Sequence, residues 1–252
     1  MLSILIACFD SARAATPAGA RRVATHHFTR RASLLLAASL SLAAALPAAQ
    51  AAKGTGAASA PPPSTVLVMG DSLSAEFGLA RGEGWVALTE ARMAQQRWPV
   101  KVVNASISGE TTGGGLTRLP ALLTRHQPQV VVIELGANDA LRGMPVTVAQ
   151  AQLGKMIRAS QQAGARVLLV GMLAPPNLGK RYGDAFAAMY TDLARETGSG
   201  LVPFMMTGLA DRPDAREWFQ ADGLHPLAKA HPVIRDTIWP AWQASLLGRE
   251  VR

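Results

Sequence analysis

Cysteine is almost missing from this chain: Cys8 is the single one among 252 residues. It sits in a leader-like segment. A protein that has shed that segment has no disulfide and no thiol chemistry, so its fold rests on core packing. Leu5-Ile6-Ala7-Cys8 superficially matches a lipoprotein box, but none of the seven residues before the cysteine is lysine or arginine. A signal recogniser has little to hold there. Aromatic residues are only 5%, which leaves few stacking platforms for bases or sugars. The formal net charge of +8 points at first to a polyanion. Yet residues 1–51 hold five arginines and one acid, Asp10. Setting these aside from the 25 basic and 17 acidic residues leaves 20 against 16, a net of +4. The remaining basic residues are scattered, as on a solvated surface, which argues against a nucleic-acid partner. Weak attraction to anionic lipid surfaces stays open.

What is present at the front reads as a secretory signal over residues 1–51. Arg30-Arg31 precedes an apolar run from Ala32 to Leu46, then Pro47 and Ala49-Gln50-Ala51, an A-x-A cleavage site. This order of positive, apolar and small residues directs export. The alternative is an uncleaved anchor helix, but the run is short and alanine-rich for a membrane span. Thr29-Arg30-Arg31 leaves the twin-arginine route open beside the general one. The expected location is periplasmic or secreted. Residues 52–64, rich in Ala, Gly, Ser and Pro, read as a flexible linker.

From Thr65 onward, β-branched runs alternate with helical patterns, and one domain over residues 65–247 is expected. The strands are expected at 65–69, 100–104, 130–135, 166–170 and 201–203, the last at an edge because of Pro203. Helical spacing covers 84–97, 116–126, 147–163 and 184–197. The tail from 227 to 247 is helical but is expected to break at Pro232 and Pro240. The alternation implies a doubly wound α/β domain with a five-stranded, mostly parallel sheet. Ligands of such sheets bind at the carboxyl ends of the strands.

Four segments stand where that rule places chemistry. Gly70-Asp71-Ser72-Leu73-Ser74 directly follows the first strand. Ser72 is a candidate nucleophile there, and equally a candidate helix cap. Asp71 reads as structural, its carboxylate bracing the turn by accepting backbone N–H groups. Asp222-Gly223-Leu224-His225 puts a carboxylate and an imidazole three residues apart around a glycine, close enough to meet in a compact turn. Acyl transfer also needs donors aimed at a developing oxyanion. The backbone N–H of Gly109, the amide of Asn138 and the backbone N–H of Ser72 can supply three. The plain alternative makes the glycines turn residues and Asn138 a cap.

Taken together, Ser72, Gly109, Asn138 and His225 stand in the order of the SGNH (GDSL) hydrolases, and the chain resembles that family from about Thr65 to Trp242. It is most similar to the periplasmic thioesterase/lysophospholipase/arylesterase branch, through Gly70-Asp71-Ser72-Leu73-Ser74, Asn104 to Thr111, Arg118 to Leu123 and Gly136 to Gly143. The resemblance implies a flavodoxin-like three-layer α/β/α sandwich. It implies that Ser72 attacks an acyl carbonyl, that His225 takes and returns the proton, and that Asp222 orients the imidazole. It also implies that Ser72, Gly109 and Asn138 hold the oxyanion. No metal or cofactor is expected. The expected substrate is a small acyl ester, thioester or lysophospholipid, met by a monomer that is not inserted in a membrane once the signal is gone. Leu141 and Met144, just past Asn138, and Pro175 and Leu178, after the fourth strand, are candidate walls of an acyl groove. Leu173 and Leu178 stand where the related branch tends to carry a polar and an aromatic residue, so chain-length preference stays open.

Three other readings compete. A carbohydrate O-acetylesterase shares the fold but needs a short pocket and an aromatic-rimmed cleft. A nucleotide-binding module is suggested by Gly113-Gly114-Gly115, but the segment lacks Gly-x-x-x-x-Gly-Lys-Ser/Thr, and no Gly-x-Gly-x-x-Gly follows the first strand. A catalytically dead scaffold would not need the full residue set.

Overall fold

The computed structural model describes residues 64–249. The predicted signal (1–51) and most of the predicted linker lie outside them, except Ser64, which is the first residue of strand β1. Five parallel strands form the sheet: β1 (Ser64–Gly70), β2 (Val100–Asn104), β3 (Val130–Glu134), β4 (Arg166–Val170) and β5 (Gly200–Val202). Their order is β2-β1-β3-β4-β5, with every neighbouring pair parallel. This is the flavodoxin-like three-layer sandwich. The strand order reverses between β1 and β3, and that reversal opens a crevice at their carboxyl ends.

Burial explains the strand sequences. Val130 to Glu134 is buried throughout, as a central strand covered on both faces must be. Among the described residues there are six α-helices: α1 (Trp85–Gln95), α2 (Thr112–His126), α3 (Ala137–Leu141), α4 (Val146–Gln162), α5 (Lys180–Thr197) and α6 (His231–Leu247). Helices α2, α4 and α5 pack side by side on one face, and α1 and α6 on the other. The second layer is pinned by Trp85 and Trp242, whose rings meet edge to face at 6.0 Å, a favoured arrangement for aromatic quadrupoles.

Helix α5 begins at Lys180 rather than 184, and β5 ends at Val202, which leaves Pro203 just outside the strand; two further elements depart from the sequence reading. Helix α2 begins at Thr112, not 116, and takes in all three glycines. The Thr111 hydroxyl caps it by accepting from the Gly114 N–H at 3.2 Å. A Cβ on Gly115 would stand 2.5 Å from Leu135 Cδ1, so this glycine lets the helix lie close against the residue that follows β3, and the run is helix rather than loop. The second departure is α6, which runs unbroken through Pro240. Pro232 falls in its first turn, where the missing N–H costs nothing. Pro240 stands between the buried Trp239 and Trp242. Their packing offsets the roughly 3 kcal/mol that an interior proline costs.

Candidate active site

The sheet delivers each predicted catalytic and oxyanion-hole residue to one rim. Ser72 lies in the turn after β1, Gly109 in the loop after β2, Asn138 at the start of α3 after β3, and Asp222 and His225 in the loop between β5 and α6. The Ser72 hydroxyl donates to His225 Nε2 at 2.8 Å. On the other side of the ring, His225 Nδ1 donates to Asp222 Oδ2 at 2.6 Å. Asp222 Oδ1 accepts the backbone N–H groups of Leu224 (2.9 Å) and His225 (3.0 Å). These bonds to His225 and Leu224 hold the Asp222 carboxyl at about 2, below its usual 3.8. A carboxylate that stays ionised and faces Nδ1 fixes the proton there, and leaves Nε2 free to accept from the serine.

Two backbone donors belong to residues that line the same cleft as His225. Among the described residues, neither the Ser72 N–H nor the Gly109 N–H has an intramolecular acceptor. Gly109 has φ +78°, a left-handed conformation in which a side chain is strained. Nothing crowds a Cβ there, so the requirement is conformational. The Gly109 carbonyl is held by Arg142 Nη2 at 3.0 Å. The same loop is braced through Glu110 and Arg118, paired at 2.7 Å. Asn138 Nδ2 donates to Asp71 Oδ2 at 3.0 Å.

These groups line an open cleft of about 220 Å³. Its walls are mostly apolar: Leu73, Phe77, Leu141, Met172, Leu173, Pro175 and Leu224 join Ser72, Gly109, Asn138 and His225. Phe77, Leu141, Leu173 and Leu224 are exposed although large and hydrophobic. Of the four predicted wall residues, Leu141 and Pro175 line the cleft. Met144 and Leu178 do not. The chain turns after Leu141, and the Met144 carbonyl is held by the Tyr182 hydroxyl at 2.7 Å. Leu178 packs partly buried against the core. Among the described residues, no cluster of three His, Cys, Asp or Glu side chains is placed to hold a metal ion.

The GDSL-like lipase/acylhydrolase family matches residues 68–233. The chain belongs to that family. It is a carboxylic ester hydrolase. It is 47% identical over 176 residues to esterase TesA of Pseudomonas aeruginosa, covering 70% of this chain and 86% of that one. It is 42% identical over 181 residues to thioesterase 1/protease 1/lysophospholipase L1 of Escherichia coli K12, covering 71% and 82%. The crystal structure of the psychrotrophic esterase EstA from Pseudoalteromonas sp., inhibited by monoethylphosphonate, superposes with a TM-score of 0.68. It is 42% identical, and the match covers 73% of this chain and 98% of that one.

Several residues of this GDSL-family site escape a reading by sequence alone. Phe77 contributes a wall of the cleft from the turn after Ser72. Gln220 ties that turn to the histidine loop: its Nε2 donates to the Phe77 carbonyl at 2.9 Å, and its backbone N–H donates to the His225 carbonyl at 2.7 Å. Below the nucleophile lies Glu134, wholly buried at the end of β3. Its Oε2 accepts from the Ser74 hydroxyl at 2.7 Å and from the Asp71 N–H at 3.4 Å. Burial first, and then the charge of Asp71, push its pKa well above the carboxylate range. Gly70 makes room for this contact, since a Cβ there would meet Glu134 Oε2 at 2.9 Å. A glutamate ending an apolar strand was the only signal of Glu134.

Proposed function

We propose that the chain hydrolyses acyl esters through an acyl-enzyme on Ser72. The Ser72 oxygen attacks the acyl carbonyl while His225 Nε2 takes its proton. The tetrahedral oxyanion is received by the N–H groups of Ser72 and Gly109 and the amide of Asn138. The imidazolium, steadied by Asp222, then gives its proton to the leaving group. Water repeats the sequence and releases the acid. The single observation that carries this reading is the continuous bond path from Ser72 Oγ through the imidazole to Asp222, opening on an apolar cleft.

The cleft walls favour an acyl chain of medium or greater length over acetyl. Leu141, Leu173 and Leu224 offer apolar surface to methylenes, each worth about 0.8 kcal/mol when buried, and an acetyl group cannot reach three such residues. The same chemistry extends to thioesters and lysophospholipids, classes named for the Escherichia coli relative. We place the enzyme in the periplasm or outside the cell, as a monomer that needs no partner but its substrate. No described helix is long and apolar enough to cross a membrane.

The test is a series of p-nitrophenyl esters from acetyl to palmitoyl, with octanoyl-CoA, a lysophospholipid and an acetylated sugar beside it. Turnover rising with chain length, together with Ser72 labelling by a fluorophosphonate and loss of both in Ser72→Ala, is expected. A folded protein that leaves every ester intact would overturn the reading. Preference for the acetylated sugar would move it to carbohydrate deacetylation.

A further inference from the structure

The turn-bracing role expected of Asp71 accounts for one of its two oxygens. Oδ1 accepts the Leu73 N–H at 3.0 Å. Oδ2 points elsewhere and accepts Asn138 Nδ2 at 3.0 Å, from a residue 67 positions away. The geometry points to Asp71 as the positioning residue that orients the Asn138 side chain, so that the amide presents an N–H and not its carbonyl oxygen to the substrate. This rests on the oxyanion role proposed for Asn138.

What each group can donate decides the orientation of the amide. A side-chain amide turned half round about its terminal bond exchanges two donors for an acceptor with almost no change of shape. Packing therefore cannot choose between the two orientations, but a hydrogen-bond partner can. An ionised carboxylate only accepts. Facing one, the amide must turn Nδ2 toward it, and the second N–H is then left for the cleft that Asn138 lines. A neutral partner able to donate would allow the reverse, with a carbonyl oxygen set against the oxyanion.

The Leu73 N–H and Asn138 Nδ2 both donate to the Asp71 carboxylate. Four titratable groups face it: Glu134, Tyr190, His225 and Asp139. Glu134 is raised well above the carboxylate range, by burial and then by the charge of Asp71, and its Oε1 has no hydrogen-bond partner. Asp71 is also buried, and burial lifts it from 3.8 to about 6, but the Leu73 N–H, His225 and Asn138 all favour its ionised form. At neutral pH it is a carboxylate. The nearly isosteric partners Asp and Asn differ here in the one property that matters, the ability to donate.

A double-mutant cycle on octanoyl ester hydrolysis tests this. Asp71→Asn is expected to keep KM within about twofold and to lower kcat on the order of a hundredfold, near the loss from Asn138→Ala, since each removes the same donor. In the Asn138→Ala background, Asp71→Asn should cost less than about threefold more, because residues acting through one group are not additive. Losses that multiply would overturn the proposal and leave Asp71 a turn brace. An Asn138→Ala rate within about threefold of wild type would overturn the oxyanion reading itself and this inference with it. If Asp71→Asn does not fold, the coupling is read without it. The acid limb of kcat should lose one ionisation on going from wild type to Asn138→Ala, since Glu134, Tyr190, His225 and Asp139 are present in both. An identical limb would overturn the proposal.

Discussion

The ring of Phe77 lies 4.4 Å from the imidazole of His225, their planes tilted by 40°. The two residues come from opposite halves of the chain. Phe77 follows the nucleophile turn, and Gln220 fastens its carbonyl to the loop that carries His225. The phenyl ring therefore limits where the imidazole can swing and walls the cleft at the same time. Phe77→Ala should lower kcat/KM roughly tenfold, as expected from losing about 1 kcal/mol of ring contact plus some apolar wall. Part of the loss should appear even with acetyl ester, because the imidazole is loosened for every substrate. A variant as active as wild type on all chain lengths would show that the ring does not hold the histidine.

Asp222→Asn separates orientation from mere presence at the other side of that imidazole. The amide oxygen can still accept the Leu224 and His225 N–H groups that Asp222 Oδ1 now receives, so the loop should keep its shape. Its NH2 group then faces Nδ1, which must become an acceptor and move the ring proton to Nε2. The ring can no longer accept from Ser72. We expect kcat to fall by at least about a hundredfold with KM little changed. Fluorophosphonate labelling should slow in parallel. An unchanged labelling rate would mean that the tautomer is set by something else.

How far this site is legible in the sequence depends on whether a residue acts through its own chemistry or through a contact. Strands β1, β3 and β4 announce themselves as runs of Val, Leu and Ile, because a strand buried on both faces has no alternation to hide. Ser72, Gly109, Asn138, Asp222 and His225 are visible because each follows a strand or turns beside one, in the family's order. Phe77, Gln220 and Glu134 carry no such mark. Their roles arise when loops 60 or more residues apart meet, as in the Ser74–Glu134 bond. Pro240 misleads for the same reason: local propensity says break, while Trp239 and Trp242 on either side hold the helix in the core.

His231 ties acid stability to the same region. It is buried at the start of α6, where its Nδ1 accepts the Trp85 N–H at 3.1 Å. Burial lowers its pKa below 6.5, so the unfolded chain takes up a proton that the fold refuses. The stabilisation is whole above pH 6.5 and is lost as pH falls through the lowered value in the fold. Asp222, lowered to about 2, adds stability above 3.8 that is lost only as pH falls toward 2. Asp71 has the opposite sign: raised to about 6, it stabilises most below 3.8 and loses that contribution as pH rises through 6. The histidine is isolated by comparing wild type with His231→Asn, which keeps an acceptor near Trp85 but does not titrate. The wild-type advantage in Tm should shrink as pH is lowered from 7.5 to about 5. A difference in Tm that is constant over this range would show that His231 does not carry the acid sensitivity.

Chain-length preference should follow the exposed apolar residues that line the cleft rather than those merely near it in sequence. Leu141 and Leu224 are exposed in the free protein, so replacing either by alanine should change stability by no more than about 0.5 kcal/mol. Once an acyl chain lies against them, each leucine loses water-exposed area. Truncation then should weaken octanoyl and longer esters by roughly three- to tenfold in kcat/KM, about 1 kcal/mol. Acetyl ester, which ends before those side chains, should be turned over as in wild type. Met144→Ala and Leu178→Ala serve as the contrast. Met144 follows Asn138 closely in sequence and Leu178 lies close after β4, but neither lines the cleft, so the ratio of octanoyl to acetyl rates should not move. If all four variants shift that ratio alike, the chain is not bound along the cleft walls, and the selectivity must come from a part of the surface away from them.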